Sequence, residues 1–107
     1  MSGHTPGPWT LDTVRTTSGL CHKVGPFPWK DGKTNHACVY DDYRGCGDGT
    51  PELVANARLI AAAPDLFDSL SLLIEVEEGD LTGADFRREI NSAKKAAKAA
   101  IAKATQP

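Results

Sequence analysis

The residues best suited to chemistry in this chain are two arginines with polar or aromatic neighbours. Tyr43-Arg44 lies in the glycine-rich stretch DDYRGCGDGT, and Asn56-x-Arg58 in the helical stretch PELVANARLIAAAPDLF. A guanidinium fork matches phosphate bidentately, and an Asn amide can read an adenine edge or a neighbouring carbonyl. Around Arg44, the glycines Gly45, Gly47 and Gly49 let backbone approach a ligand, and Tyr43 can stack on a base. The same stretch runs into a helix N-terminus, which favours anions. Asp41, Asp42 and Asp48 would repel a phosphate, and no Walker-type lysine follows, so this is no nucleotide-hydrolase loop. The plainer reading is a solvated connection. Asn56 and Arg58, two apart on a helix, point about 200° from one another, so both cannot face one core. The plainer reading of Arg58 is an ion pair with Glu52 or an aspartate of the preceding loop.

A second set consists of Cys21, His22, His36, Cys38 and Cys46. His36 and Cys38 share one face of a strand, and Cys46 could join them from the loop in a zinc site. The spacing matches no Cys-x-x-Cys pattern, so half-buried free cysteines are the expectation and no metal is assigned. Cys38 with His36 as nucleophile and base lacks both the geometry and a third orienting group, and Asp41 and Asp42 diverge if extended. The chain therefore reads as a non-enzyme with no catalytic residues and no cofactor. A third set is the basic run Arg87, Arg88, Lys94, Lys95 and Lys98 on the last helix. It offers an alternative contact surface for a large anionic partner. Without interleaved aromatics it does not point to nucleic acid, and a solvated face is the plainer reading.

The elements that must position these residues follow from the pattern. At 107 residues the chain has room for one domain, 1–107, with a modest core. A formal charge of −2 pulls it to neither nucleic acid nor anionic membrane. No apolar run approaches the roughly 20 residues of a membrane span. The first residues carry no basic region or apolar core of a secretory signal, so a cytoplasmic location with reduced thiols is expected.

Strand alternation appears at Trp9–Asp12, Leu20–Val24 and Asn35–Tyr40, the last with Ala37 and Val39 on one face and His36, Cys38 and Tyr40 on the other. Gly25-Pro26-Phe27-Pro28-Trp29 is placed at a sheet edge or in a loop, since its prolines withdraw ladder donors. Lys30-Asp31-Gly32-Lys33 predicts a two-residue type I′ hairpin. A helix over 50–78 follows, with Thr50 as N-cap, Pro51 in its first turn and a kink or restart at Pro64. A second helix is predicted over 82–104, opened by a capping box of Thr82 and Asp85.

The fold class is α+β: a small N-terminal antiparallel sheet of three or four strands (1–49) against two C-terminal helical segments. Leu66, Phe67, Leu70, Leu72, Leu73, Ile74 and Val76 cover more than one narrow stripe of the first helix. A small sheet covers only one side of such a helix, so a homo-oligomer is expected.

His4-Thr5-Pro6-Gly7-Pro8-Trp9 and Ala55-Asn56-Ala57-Arg58-Leu59-Ile60-Ala61-Ala62-Ala63-Pro64-Asp65-Leu66 resemble segments of a family of small bacteriophage and prophage proteins, which open on a similar HTPGPW and carry a similar NARLIAAAPDLL helix. The resemblance implies a phage or prophage origin and action in the host bacterial cytoplasm. The order of sheet and helices also looks like that of Thoeris anti-defence sponge proteins, which oligomerise and sequester nucleotide immune signals. That likeness, one of architecture alone, implies a small nucleotide-like ligand held at an oligomer interface and carries over no binding residue; the candidate ligand-binding residues, Tyr43, Arg44, Asn56 and Arg58, rest on their own chemistry. The alternatives are an anti-CRISPR-type inhibitor docking on a host defence protein, and an accessory or structural phage protein.

Overall fold

Alternation of apolar and polar residues sets the first three elements. A computed structural model describes residues 3–29, 31–42 and 50–106. In it β1 (Thr10–Arg15), β2 (Leu20–Pro28) and β3 (Thr34–Asp41) form an antiparallel sheet in the order β1-β2-β3. The register pairs Thr13 with His22 and His22 with Val39, and Leu11 with Val24 and Val24 with Ala37. One face therefore carries Leu20, His22 and Val24 of the central strand, all buried, beside Ala37, Val39 and Asp41. The other carries Cys21 and Lys23 beside Cys38 and Tyr40, as strand alternation requires.

Two expectations for this region are corrected and one is made definite. The Gly25–Trp29 stretch is not a loop: β2 runs to Pro28, and past Gly25 it is the sheet edge that its prolines call for. The prolines are accommodated because β1 ends at the Thr10–Gly25 pair, leaving the rest of β2 with one neighbour, and because the β2–β3 register shifts between Val24 and Phe27. The β2–β3 turn is not a two-residue hairpin. Trp29 donates to the Lys33 carbonyl at 2.9 Å, and Gly32, with φ of 81°, donates to Trp29 at 3.1 Å, so the loop has three residues with glycine in the left-handed position. Finally, the thiols are not all free: Cys21 and Cys38 are joined as a disulfide across β2 and β3.

Two helices follow, α1 (Pro51–Glu78) and α2 (Gly83–Thr105). Thr50 is the N-cap of α1 and Pro51 opens it, where a missing N–H costs nothing. Pro64 lies inside α1, which continues through it without a restart. Thr82 caps α2 by position but makes no side-chain cap bond, so the proposed box does not form; Asp85 pairs with Arg88 at 2.9 Å instead. The observed α+β architecture is the one the sequence pattern predicts, with three strands among the described residues.

α1 covers the inner face of the sheet, and α2 packs along α1. The buried residues at these contacts are small, chiefly Ala57, Ala61, Ala62, Ala93 and Ala100, with Leu20, Val24 and Val76. Alanine lets the backbones approach closely but buries little area per residue. Large apolar side chains are left at the surface, among them Leu59, Ile60, Phe67, Leu70 and Ile74 of α1. The N-terminal residues form a strap over α1: Trp9 donates its indole N–H to the Thr5 carbonyl at 3.0 Å and packs edge-on against Phe27.

Candidate functional site

Successive faces of α1 have different neighbours. Ala57 and Ala61 are buried, while Arg58, between them, is half-buried and lies beside the end of α2. There Leu11 of β1, Arg58 and Ala61 of α1, and Ala102, Lys103 and Gln106 at the end of α2 line an open cleft of about 440 Å³. Its cationic groups are not equivalent. Lys103 Nζ is engaged by Asp65 Oδ2 at 2.7 Å and donates to the Trp9 carbonyl at 2.9 Å, so its charge is balanced within the chain. Arg58 has no ion pair among the described residues, with Glu52 or any other acid. Its guanidinium is thus the uncompensated charge of the cleft, and Leu11, Ala61 and Ala102 supply an apolar wall beside it. An arginine so placed can present a fork to a phosphate or carboxylate.

The four residues expected to bind a ligand do not meet as one site in the described structure. Arg58 opens on the cleft. Asn56 is exposed on a different face of α1, as their two-residue spacing requires. Tyr43 and Arg44 lie outside the described residues, as does Cys46. The alternative contact residues Arg87, Arg88, Lys94, Lys95 and Lys98 are all exposed on α2, and of these Arg88 is paired with Asp85 and, at 3.9 Å, with Glu89. No cluster of His, Cys, Asp and Glu able to hold a metal occurs among the described residues. No described helix is long and apolar enough to cross a membrane.

Two polar features escaped the sequence reading. Asp41, buried at the end of β3, accepts from the backbone N–H of Thr50 and, at 3.3 Å, from its hydroxyl. It thereby takes the N–H of the N-cap residue itself, the bond that an N3 side chain makes in a capping box, in a position the helix dipole favours. His22 is buried on the inner face, where Nδ1 is 2.8 Å from Thr13 Oγ1 and Nε2 has no partner among the described residues. The signal for His22 was present: it stands between Leu20 and Val24 at strand spacing. No comparable local signal marks Asp41, whose partner is nine positions away.

Over residues 1–107 the chain matches the family described as Salmonella phage P22 protein Y8K6. It belongs to that family. No curated protein and no solved structure matches it. Membership makes this a phage-associated protein, as the resemblance of its two sequence segments implied. In this P22 Y8K6 family member those two segments pack on one another. Gly7 lies so close to Pro64 that a Cβ on it would meet the proline ring at 2.9 Å. The His4 ring stands edge-on to Phe67 with centroids 5.3 Å apart. A smaller hollow of about 230 Å³ remains there, lined by His4, Trp9, Ala63, Pro64 and Phe67. The HTPGPW strap and the Pro64 region of α1 thus form one structural unit next to the Arg58 cleft, tied to it through the Lys103–Trp9 hydrogen bond.

Proposed function

We propose that this P22 Y8K6 family protein is a non-catalytic binding protein that captures a small nucleotide-like anion in the cleft between β1, α1 and α2. Its biological sense would be counter-defence, by withdrawing a nucleotide-derived immune signal such as a cyclic nucleotide or a cyclic ADP-ribose-like molecule. The observation that carries the reading is Arg58: a half-buried guanidinium without an ion pair among the described residues, opening on a cleft of about 440 Å³. That volume falls within the range of small-molecule sites, roughly 300–1,000 Å³. The apolar wall of Leu11, Ala61 and Ala102 suits a base or sugar face, and the Gln106 amide offers both donor and acceptor.

The test is titration calorimetry of the purified protein against ADP-ribose, cyclic ADP-ribose and cyclic dinucleotides. Binding of one class by the wild type, weakened at least tenfold in Arg58→Ala and partly retained in Arg58→Lys, is the expected result. Equal binding by Arg58→Ala removes the site, and no binding of any of these anions removes the reading.

A second reading, an inhibitor docking on a host defence protein, is favoured by the exposed cations Arg87, Lys94, Lys95 and Lys98 on α2. Their joint substitution by glutamine would abolish co-purification with such a partner and leave nucleotide capture intact.

A further inference from the structure

The outward face of α1 carries a regular apolar seam. Ile60, Ala63, Phe67, Leu70 and Ile74 follow one another at spacings of three, four, three and four. All five are exposed, Phe67 by 52%, Leu70 by 60% and Ile74 by 50%. This is the alternation of a and d positions in a two-stranded helical pair, whose 3.5-residue average keeps one seam turned to a partner. The positions flanking the seam, Leu59, Leu66 and Leu73 on one side and Ala57, Pro64 and Ser71 on the other, hold no charge. α2 packs on a different face of α1, through the side that buries Ala62, Ser69 and Val76.

From this seam we infer that the chain pairs with a second copy of itself, α1 against α1, antiparallel, about a two-fold axis near the middle of the seam. The inference is independent of the ligand reading, because Arg58 lies on another face.

Three observations select this occupant. The first is area. Leu59, Ile60, Phe67, Leu70 and Ile74 together leave roughly 500 Å² of apolar surface per chain, at about 200 Å² for each large side chain, so a pair of copies buries about 1,000 Å² through them alone. Asn56, Ala63 and the ends of the seam bring the contact into the range of specific interfaces.

The second is shape. The Cα radius of gyration is 17.4 Å, whereas a compact chain of this length has about 13 Å. With extents of 58 × 35 × 14 Å, and the seam exposed beside the strap that reaches Pro64 and Phe67, the chain offers a long edge to a partner that is itself long and flat. A copy of this chain has that form.

The third is charge. In an antiparallel pair the a-type positions of one copy face the d-type positions of the other, and the start of one α1 lies beside the end of its partner. Asn56, near the start, then lies towards the acidic end of the other α1, Glu75, Glu77 and Glu78. A parallel arrangement would instead stack Glu77 and Glu78 on their own copies, which like-charge repulsion opposes.

Analytical ultracentrifugation over 1–200 µM tests the inference. The wild type is expected at twice the 11.4 kDa chain mass. Leu70→Glu, at an exposed position, is expected to weaken association at least tenfold with an unchanged helical circular dichroism spectrum; Leu70→Ser is the milder variant should the first lose structure. Asn56→Lys gives the orientation: antiparallel pairing places the new cation towards the acidic end of the other α1 (Glu75, Glu77, Glu78) and strengthens the dimer about threefold, whereas parallel pairing places it by its own copy and weakens it. A wild type that stays monomeric throughout, or a dimer indifferent to both Leu70 variants, overturns the inference. A dimer weakened by Asn56→Lys overturns its antiparallel form.

Discussion

Single side chains in the interior of this protein perform tasks that are usually left to the backbone or to solvent. Asp41 is the clearest. Buried and bonded to both the N–H and the hydroxyl of Thr50, it fastens the end of β3 to the start of α1. Asp41→Ala strands the Thr50 donor and leaves the first turn without its anion, at a cost of roughly 2–3 kcal/mol. A fall in Tm of about 10 °C or more is expected, and Asp41→Asn should recover part of it, because the amide retains one acceptor. His22 works in the opposite sense. Its Nε2 is buried without a partner among the described residues, an arrangement that opposes folding. His22→Leu keeps the volume, removes the orphan nitrogen and returns Thr13, exposed on the edge strand, to water. Its Tm is expected to equal or exceed that of the wild type, and a loss above about 1 kcal/mol would show that His22 has a polar partner in solution.

At the level of elements, alternation and helical periodicity were enough to place β1, β2, β3, α1 and α2, because each rests on residues close together in sequence. What periodicity could not show was how elements accommodate their exceptions. Pro26 and Pro28 argued for an edge, and they lie at one because β1 stops short of the last three residues of β2. Pro64 argued for a kink or a restart; α1 runs on through it, and its ring is buried where the strap arrives at Gly7. Of the candidate site, Arg58 was legible as a cation on a helix, but the cleft was not, since Leu11, Ala61 and Lys103 converge from distant parts of the chain. The Gly7–Pro64 approach is testable. Gly7→Ala would place a Cβ 2.9 Å from the proline ring and push the strap away. A loss of roughly 1–2 kcal/mol is expected, together with a red shift of Trp9 emission as the indole gains water. Trp29, 60% exposed, supplies the constant background.

The molecule as a whole is long and thin, with a sheet at one end of a helical pair and few large side chains at the buried contacts. Such a frame depends on individual ties between its parts. Lys103 is one, joining the end of α2 to Asp65 on α1 and to the carbonyl before β1. Because the pair is partly solvated, Lys103→Met should cost no more than about 1 kcal/mol overall. Its local effect should be larger: amide hydrogen exchange is expected to quicken at residues 10–11 and 102–106 and to stay unchanged near the α1–α2 turn. The same tie bears on the order in which the protein is made. Trp9 and Lys103 are 94 positions apart. During synthesis the strap leaves the ribosome before its partners Pro64 and Phe67, and Lys103 comes later still. The strap must therefore wait for both helices, and residues made ahead of them are among the last to be locked in place.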